Sequence, residues 1–274
     1  MTRTALPSTT RPPHPRMAGA GLAHDVETPD VHTASASYRN RFVGGGRLAL
    51  LRQAEGVTRA LRATGSAPLS VLDVGGGHAQ LTGALQRAGH RVVVHGSTEA
   101  CFQWIQPLAA AAPQQVTPCV ARLLALPFAT GAFDLVCGIR LLAHVSEWRA
   151  LLAEMARVSR RFLLLDFPLD GGMQRLSGPG FRLKRTVEKN TRPFFLYRRT
   201  DVVSCLATVD VQPVLSFGEL VLPLALHRAL HLPRLSLLAE RALAGMGLGD
   251  RIGSPVLLLG EKRVHGRTDH AMEE

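Results

Sequence analysis

Lysine is almost absent from this sequence: Lys184, Lys189 and Lys262 are the only three among 32 basic residues. Against 21 acids the basic residues leave a formal net charge of +11, nearly all of it arginine. A guanidinium stays charged near neutral pH and forks onto carboxylate or phosphate, so this charge is permanent and suits anions. GC-rich coding, which favours Ala, Arg, Gly and Leu over Lys, gives the same composition with no ligand involved. The excess therefore admits nucleic acid, anionic lipid or an acidic substrate as partner, and selects none of them.

Cysteine is scarce as well. Cys101, Cys119, Cys137 and Cys205 form no C-x-x-C pair and have no histidine at metal-ligand spacing, so neither a metal nor a disulfide framework is expected. A reducing, cytoplasmic setting is the corresponding expectation. Uncharged apolar runs fall short of the ~18 residues that span a bilayer. The longest, Leu220 to Leu226, holds Pro223 and then meets His227 and Arg228. The sequence predicts no transmembrane segment and leaves peripheral contact with a membrane open.

What the chain does have is a core. Its 46% hydrophobic content excludes wholesale disorder, and 274 residues make one large domain or two small ones. Residues 1–35 are rich in Pro, Thr, Ser and His, and Arg11-Pro12-Pro13-His14-Pro15-Arg16 propagates neither helix nor strand, so a disordered arm is predicted there. The folded domain is expected over 36–264, with a flexible tail at 265–274. Leu48, Leu50, Leu51, Val57 and Leu61 recur at helical spacing and predict an amphipathic helix ending near Gly65. Short apolar runs at 69–74, 91–95, 116–120, 133–138 and 161–166 then alternate with helical stretches at 78–88, 98–111 and 146–158. That alternation predicts an α/β fold, a doubly wound, mostly parallel sheet covered on both faces. After Phe167 it breaks; a helix at 200–208, a strand at 211–217, a helix at 224–244 and a strand at 255–260 follow.

Val71-Leu72-Asp73-Val74-Gly75-Gly76-Gly77 stands where the first strand turns into a helix. Glycines there let a ligand approach the backbone, at the strand end where open α/β sheets bind. The third Gly of a G-x-G-x-x-G dinucleotide fingerprint would fall at Gln80, and no Gly-Lys-Ser/Thr follows, so neither that fingerprint nor a P-loop is present.

The segment resembles motif I of class I S-adenosylmethionine-dependent methyltransferases. Leu126-Pro127-Phe128-Ala129-Thr130-Gly131-Ala132-Phe133-Asp134-Leu135-Val136 is similar to the next block of the small-molecule, ubiquinone/menaquinone-type branch, and Leu141-Leu142-Ala143-His144-Val145 to the block after that. The resemblance covers about 38–166. It implies a seven-stranded Rossmann-like methyltransferase sheet with a lid insertion after the fifth strand, and S-adenosyl-L-methionine as cofactor. Carried over residue by residue, Asp73, Gly75 and Gly77 would hold the methionine end, and Tyr38 would close over the cofactor. The acids that usually meet ribose and adenine are missing: Gly96 and Arg122 stand in their places. His95, Gly96 and Ser97, with Glu99 nearby, and the backbone of Leu123 and Leu124 are the expected substitutes. His144 is the expected catalytic base.

Residues 168–200 would overhang the sheet as the lid. Basic and aromatic residues mix from Phe181 to Arg199, which suits an anionic, partly apolar acceptor. Arg140, Asn190, Arg192, His227 and Arg228 are the expected acceptor-binding residues. The predicted function is methyl transfer to a small-molecule or lipid-like acceptor, with a non-catalytic binding protein of the same fold as the alternative. The Asn/Asp-Pro-Pro-aromatic tetrad of N-methyltransferases is absent after the fourth strand, and no RNA-binding module is recognisable, which argues against nucleic acid.

Overall fold

A computed structural model describes residues 47–65, 67–170, 195–230 and 232–263. The expected arm at 1–35, the tail at 265–274, the interior of the expected lid, and Tyr38, Asn190 and Arg192 lie outside these residues, as does the side chain of Arg228.

Each apolar run becomes a strand: β1 Ser70–Asp73, β2 Arg91–Gly96, β3 Val116–Val120, β4 Phe133–Gly138, β5 Ser159–Phe167, β6 Val211–Gly218 and β7 Val256–Lys262. They form one sheet in the order β3-β2-β1-β4-β5-β7-β6. Only β7 is antiparallel to its neighbours, so the other six strands deliver their carboxyl ends to the same edge. The helices are α1 Arg47–Ala63, α2 Thr82–Arg87, α3 Gln106–Ala111, α4 Trp148–Val158, α5 Arg199–Ala207, α6 Leu224–Leu230, α7 Pro233–Gly245 and α8 Leu248–Ile252.

Side chains alternate across a strand, and both faces are apolar here. Leu72, Val136, Leu163 and Leu165 pack with Leu151, Leu152 and Met155 of α4 and Val202 and Leu206 of α5. On the opposite face, Val71, Leu135, Cys137 and Leu164 pack with Val57 and Ala60 of α1 and Leu85 of α2. Each fully buried leucine contributes about 1.5–3 kcal/mol of transfer free energy, which fixes strand register and hence the strand-end edge.

Three predicted helices are broken, each for a local reason. The stretch at 78–88 opens as a 3-10 turn at Gly76–His78, and Ala79, at φ +56°, stops it before α2 begins. The stretch at 98–111 divides into a 3-10 turn at Glu99–Phe102 and α3, with Pro107 in the first turn of α3. Pro233 opens α7 and holds Leu232 out of the helical region, at φ −114° and ψ 73°, so 224–244 becomes two helices.

This α6–α7 hairpin is fastened from inside. The buried Glu240 carboxylate accepts the N–H groups of Val221 (2.7 Å) and Leu222 (2.9 Å), and His227 Nε2 lies 2.8 Å from it. His227, expected to face the acceptor, is instead 2% exposed and committed to this fastener, because its imidazole lies on the buried side of α6. Removing an acceptor that serves two buried groups and the half-buried Leu222 N–H leaves all three without it. Glu240→Ala is expected to cost about 3 kcal/mol, with a fall in melting temperature of roughly 6–12 °C on thermal unfolding.

Candidate active site

The sheet order places the switch point between β1 and β4, whose connections leave in opposite directions; ligands bind at that crevice in open α/β sheets. Asp73 closes β1 on one side of it and sits in register with Val94 of β2 and Cys137 of β4. Its carboxyl is 2% exposed and takes a 3.2 Å hydrogen bond from the Thr82 hydroxyl. Burial pushes its pKa up to about 7, against the opposing pull of Thr82. The carboxylate lies flat against Gly76, where a Cβ would fall on its atoms. Glycine at 76 is thus the condition for the acid at 73. Gly75, at φ +70°, turns the loop and is exposed, whereas Gly77 is buried.

His95 is a correction. It was expected to reach toward a ribose; it is 1% exposed, and both ring nitrogens meet backbone. Nδ1 accepts the Gly75 N–H at 3.3 Å, and Nε2 donates to the Ala121 carbonyl at 2.9 Å. The imidazole therefore staples the glycine loop to the end of β3, and the Gly75 N–H is already in use. Gly96 offers no room for the missing acid either. A Cβ there would come within 2.7 Å of Cys101 Cβ and 3.0 Å of the Phe102 ring. Beyond it, Ser97 is half-buried with its hydroxyl 3.7 Å from Cys101 Sγ, and Glu99 is exposed.

At the end of β3, Arg122 is exposed on a turn closed by the Ala125 N–H on its carbonyl, at 3.3 Å. Leu123 is 2% exposed with its side chain in the core, and Leu124 packs against the same cluster from the surface.

On the other side of the switch point stands a group that the sequence reading missed. Arg140, two residues beyond β4, adopts φ +59°, rare for a side chain of its size. Its backbone N–H donates to Asp166 Oδ1 at 2.6 Å, and its Nη2 donates to Glu219 Oε2 at 2.5 Å. Gln53 Nε2 donates to the other Glu219 oxygen at 3.3 Å, and Arg52 Nε to the Glu219 carbonyl at 2.9 Å. Burial raises both carboxyls, Glu219 to about 7, although Arg140 pulls them down. Arg140 was expected as a hook for an anionic acceptor. It pairs instead with Asp166 and Glu219, both buried, so it is not a free cationic hook. The clue was legible: Asp166 and Glu219, like Asp73, are acids at the ends of apolar strand runs.

His144 ends a 3-10 turn at Leu142–His144, a short way past Arg140, and is half-buried. The turn is held by the far flank of the expected lid. Phe195 donates its N–H to the Ala143 carbonyl (2.9 Å), and the Tyr197 hydroxyl donates to the Leu142 carbonyl (2.7 Å). Tyr197 itself is buried against Phe167 and Trp148, so this aromatic packs down into the core.

Residues 71–161 match a family model described as a methyltransferase domain. This is a class I methyltransferase fold. It is similar to magnesium protoporphyrin IX methyltransferase from Synechocystis PCC 6803 solved with bound S-adenosylmethionine, at 16% identity and a TM-score of 0.56 over 89% of this chain and 100% of that one. It is also similar to 1,6-didemethyltoxoflavin-N1-methyltransferase from Burkholderia thailandensis, solved with 1,6-didemethyltoxoflavin and S-adenosylhomocysteine. There the identity is 16% and the TM-score 0.54, over 90% of this chain and 94% of that one. No curated protein matches the sequence. The family match runs from β1 to the start of β5, and the Arg140–Asp166–Glu219 group draws its last two members from beyond it.

Two outcomes follow from this geometry. Between about pH 4 and pH 7 the folded state keeps protons on Asp73 and Glu219 that the unfolded chain has released, and Asp166 is shifted in the same direction, so stability falls as pH rises through that window. Asp134 and Glu154 run the other way: despite partial burial, hydrogen bonds from Ser70 and Arg160, and from Arg157 and the Leu126 N–H, hold them low, so their contribution is lost only in stronger acid. Denaturant unfolding at pH 5 and pH 8 is expected to differ by about 3 kcal/mol through Asp73 alone, and Asp73→Asn removes that share. Gly96→Asp, which restores the family acid, is expected to lower the melting temperature and leave ligand affinity no tighter, because Cys101 and Phe102 fill the space.

Proposed function

We propose that this protein is an S-adenosylmethionine-dependent methyltransferase acting on a small-molecule acceptor. The carrying observation is Asp73: a carboxylate shut from water beside an exposed glycine turn, at the switch point of a methyltransferase fold. An acid with its pKa pushed up to about 7 ionises readily when a cationic ligand end arrives. The residues fit the methionine end of the cofactor well and its adenosine end less completely. Asp73, Gly75 and Gly77 would hold the former. Ser97 and Glu99 would meet the ribose and the Leu123 and Leu124 backbone the adenine, with His95 positioning the loop. Tyr38, outside the described residues, is assigned by the resemblance alone to close over the cofactor.

The bound cofactor supplies an electrophilic methyl group on a sulfonium. Methyl transfer is an in-line displacement, so alignment and exclusion of water matter more than acid–base strength. His144 takes the proton released by the acceptor. Arg140, Asp166 and Glu219 line the acceptor side; burial raises both carboxyls, Glu219 to about 7, so near neutral pH Glu219 donates as well as accepts hydrogen bonds. That favours an uncharged polar group on the acceptor over an anion at this point. The rest of the acceptor is apolar or lipid-like; Asn190, Arg192 and the Arg228 side chain, assigned to it from the sequence, lie outside the described residues. The methyltransferase-like neighbours that carry small-molecule acceptors in their names support this class.

A second reading, binding without turnover, draws on Gly96 and Arg122, where the usual acids are replaced. Isothermal titration with S-adenosylmethionine and S-adenosylhomocysteine separates the readings. Binding in the millimolar range or tighter is expected, with Asp73→Ala weakening it about tenfold or more, and His144→Ala sparing binding while reducing turnover. Absence of binding at millimolar ligand contradicts the methyltransferase reading, and binding with no turnover on any acceptor favours the second.

A further inference from the structure

The α6–α7 hairpin carries polar groups on its inner side and leucines on its outer side, with Leu224 and Leu237 still packed inward. Its polar residues His227, Ser236 and Glu240 are buried, while Leu226, Leu230, Leu232, Leu235, Leu238 and Met246 are 42–66% exposed. Only three other large hydrophobic residues among those described are comparably exposed, so the apolar surface is concentrated on this one element. On α7 and its C-cap, residues 235, 238, 239, 242 and 246 fall on one side of the helix, and all five are exposed. The reversal has a visible cause. Glu240 must point inward to hold Val221, Leu222 and His227, and the helical period then turns Leu235, Leu238 and Met246 outward.

We propose that this face docks on an anionic lipid surface. Charge selects that occupant. Glu240 is the only acid between Leu224 and Met246, and it is buried. The described charged side chains left at the surface are Arg234 and Arg241, along one flank of the leucine stripe, with Arg241 also paired to Glu55 of α1. A second copy meeting the face by two-fold symmetry would set arginine against arginine with no acid on either hairpin to answer it. A surface of anionic headgroups answers both arginines while the leucines enter the acyl boundary, as interfacial helices do. The chain's net charge of +11 adds long-range attraction of the same sign. No described helix is long and apolar enough to cross a membrane, so the contact is a peripheral one. The hairpin is anchored at Val221 and Leu222, just past Glu219, which brings the carboxyl edge of the sheet to the lipid. The inference does not rest on methyl transfer, and its readout needs no cofactor.

The test is co-sedimentation of the full chain with vesicles of equal parts phosphatidylglycerol and phosphatidylcholine, against vesicles of phosphatidylcholine alone. Binding to the anionic vesicles is expected, weakened by 0.5 M salt. Leu235→Glu with Leu238→Glu should lower partitioning at least about tenfold, and Arg234→Gln about fivefold at low salt. Thermal unfolding checks that the variants fold, and Leu235→Ser with Leu238→Ser replaces the glutamates if they do not. Failure of the wild type to bind anionic vesicles overturns the proposal, as does equal binding by a folded double variant. A wild-type dimer in sedimentation velocity that the double variant abolishes, with no vesicle binding, overturns it in favour of contact between copies.

Discussion

Everything at the ligand edge depends on a carboxylate being kept out of water. Asp73 ends β1 with its oxygens against Gly76 and a single side-chain partner in Thr82. Such a group is costly to ionise and is therefore sensitive to any positive charge brought near it. The surrounding structure serves that arrangement. Gly76 gives up its side chain to make room, Gly75 turns the loop with a positive φ, and His95 locks the turn to β3. A polar edge in so apolar a sheet is held rigid by backbone contacts, which leaves the carboxyl group as the responsive element.

The same device recurs along the edge. Asp73, Asp166 and Glu219 stand at or just past the ends of β1, β5 and β6, all buried and all shifted toward the protonated form. They differ in company. Asp73 has a hydroxyl and a glycine loop, whereas Asp166 and Glu219 share Arg140, itself bent into a left-handed backbone to reach them. The edge is thus divided at the switch point into a half that attracts a cation and a half that is internally compensated. A cofactor with a cationic end suits the first; an acceptor with little net charge suits the second.

Much of the fold was legible because both faces of the sheet are covered, so the strands read as unbroken apolar runs. The resemblance in the blocks around Asp73, Leu126 and Leu141 was equally direct, and the match over 71–161 agrees with it. What escaped were outcomes set by contact. Ala79 and Pro233 break helices whose apolar pattern continues across them. His95 and His227 look like ligands in the sequence, but burial turns one into a staple and the other into part of a fastener. Arg140 looks like an anion hook until Asp166 and Glu219, distant in sequence, arrive beside it. Residue type marks acids at strand ends but does not say that Arg140 meets the two that lie 26 and 79 positions away. Glu240 shows the same rule in reverse: an acid in a leucine-rich helix reads as the solvent side, and its internal bonds reverse the whole face.

The coupling between the buried Asp73 carboxyl and a cationic ligand is measured most directly by proton release. Calorimetric titration of S-adenosylmethionine at pH 6.5, in two buffers of different ionisation enthalpy, counts protons freed on binding. Net release by the wild type, lost in Asp73→Asn at saturating ligand, is the expected result. Equal proton release by both proteins would contradict it, and so would binding that is unchanged by the substitution.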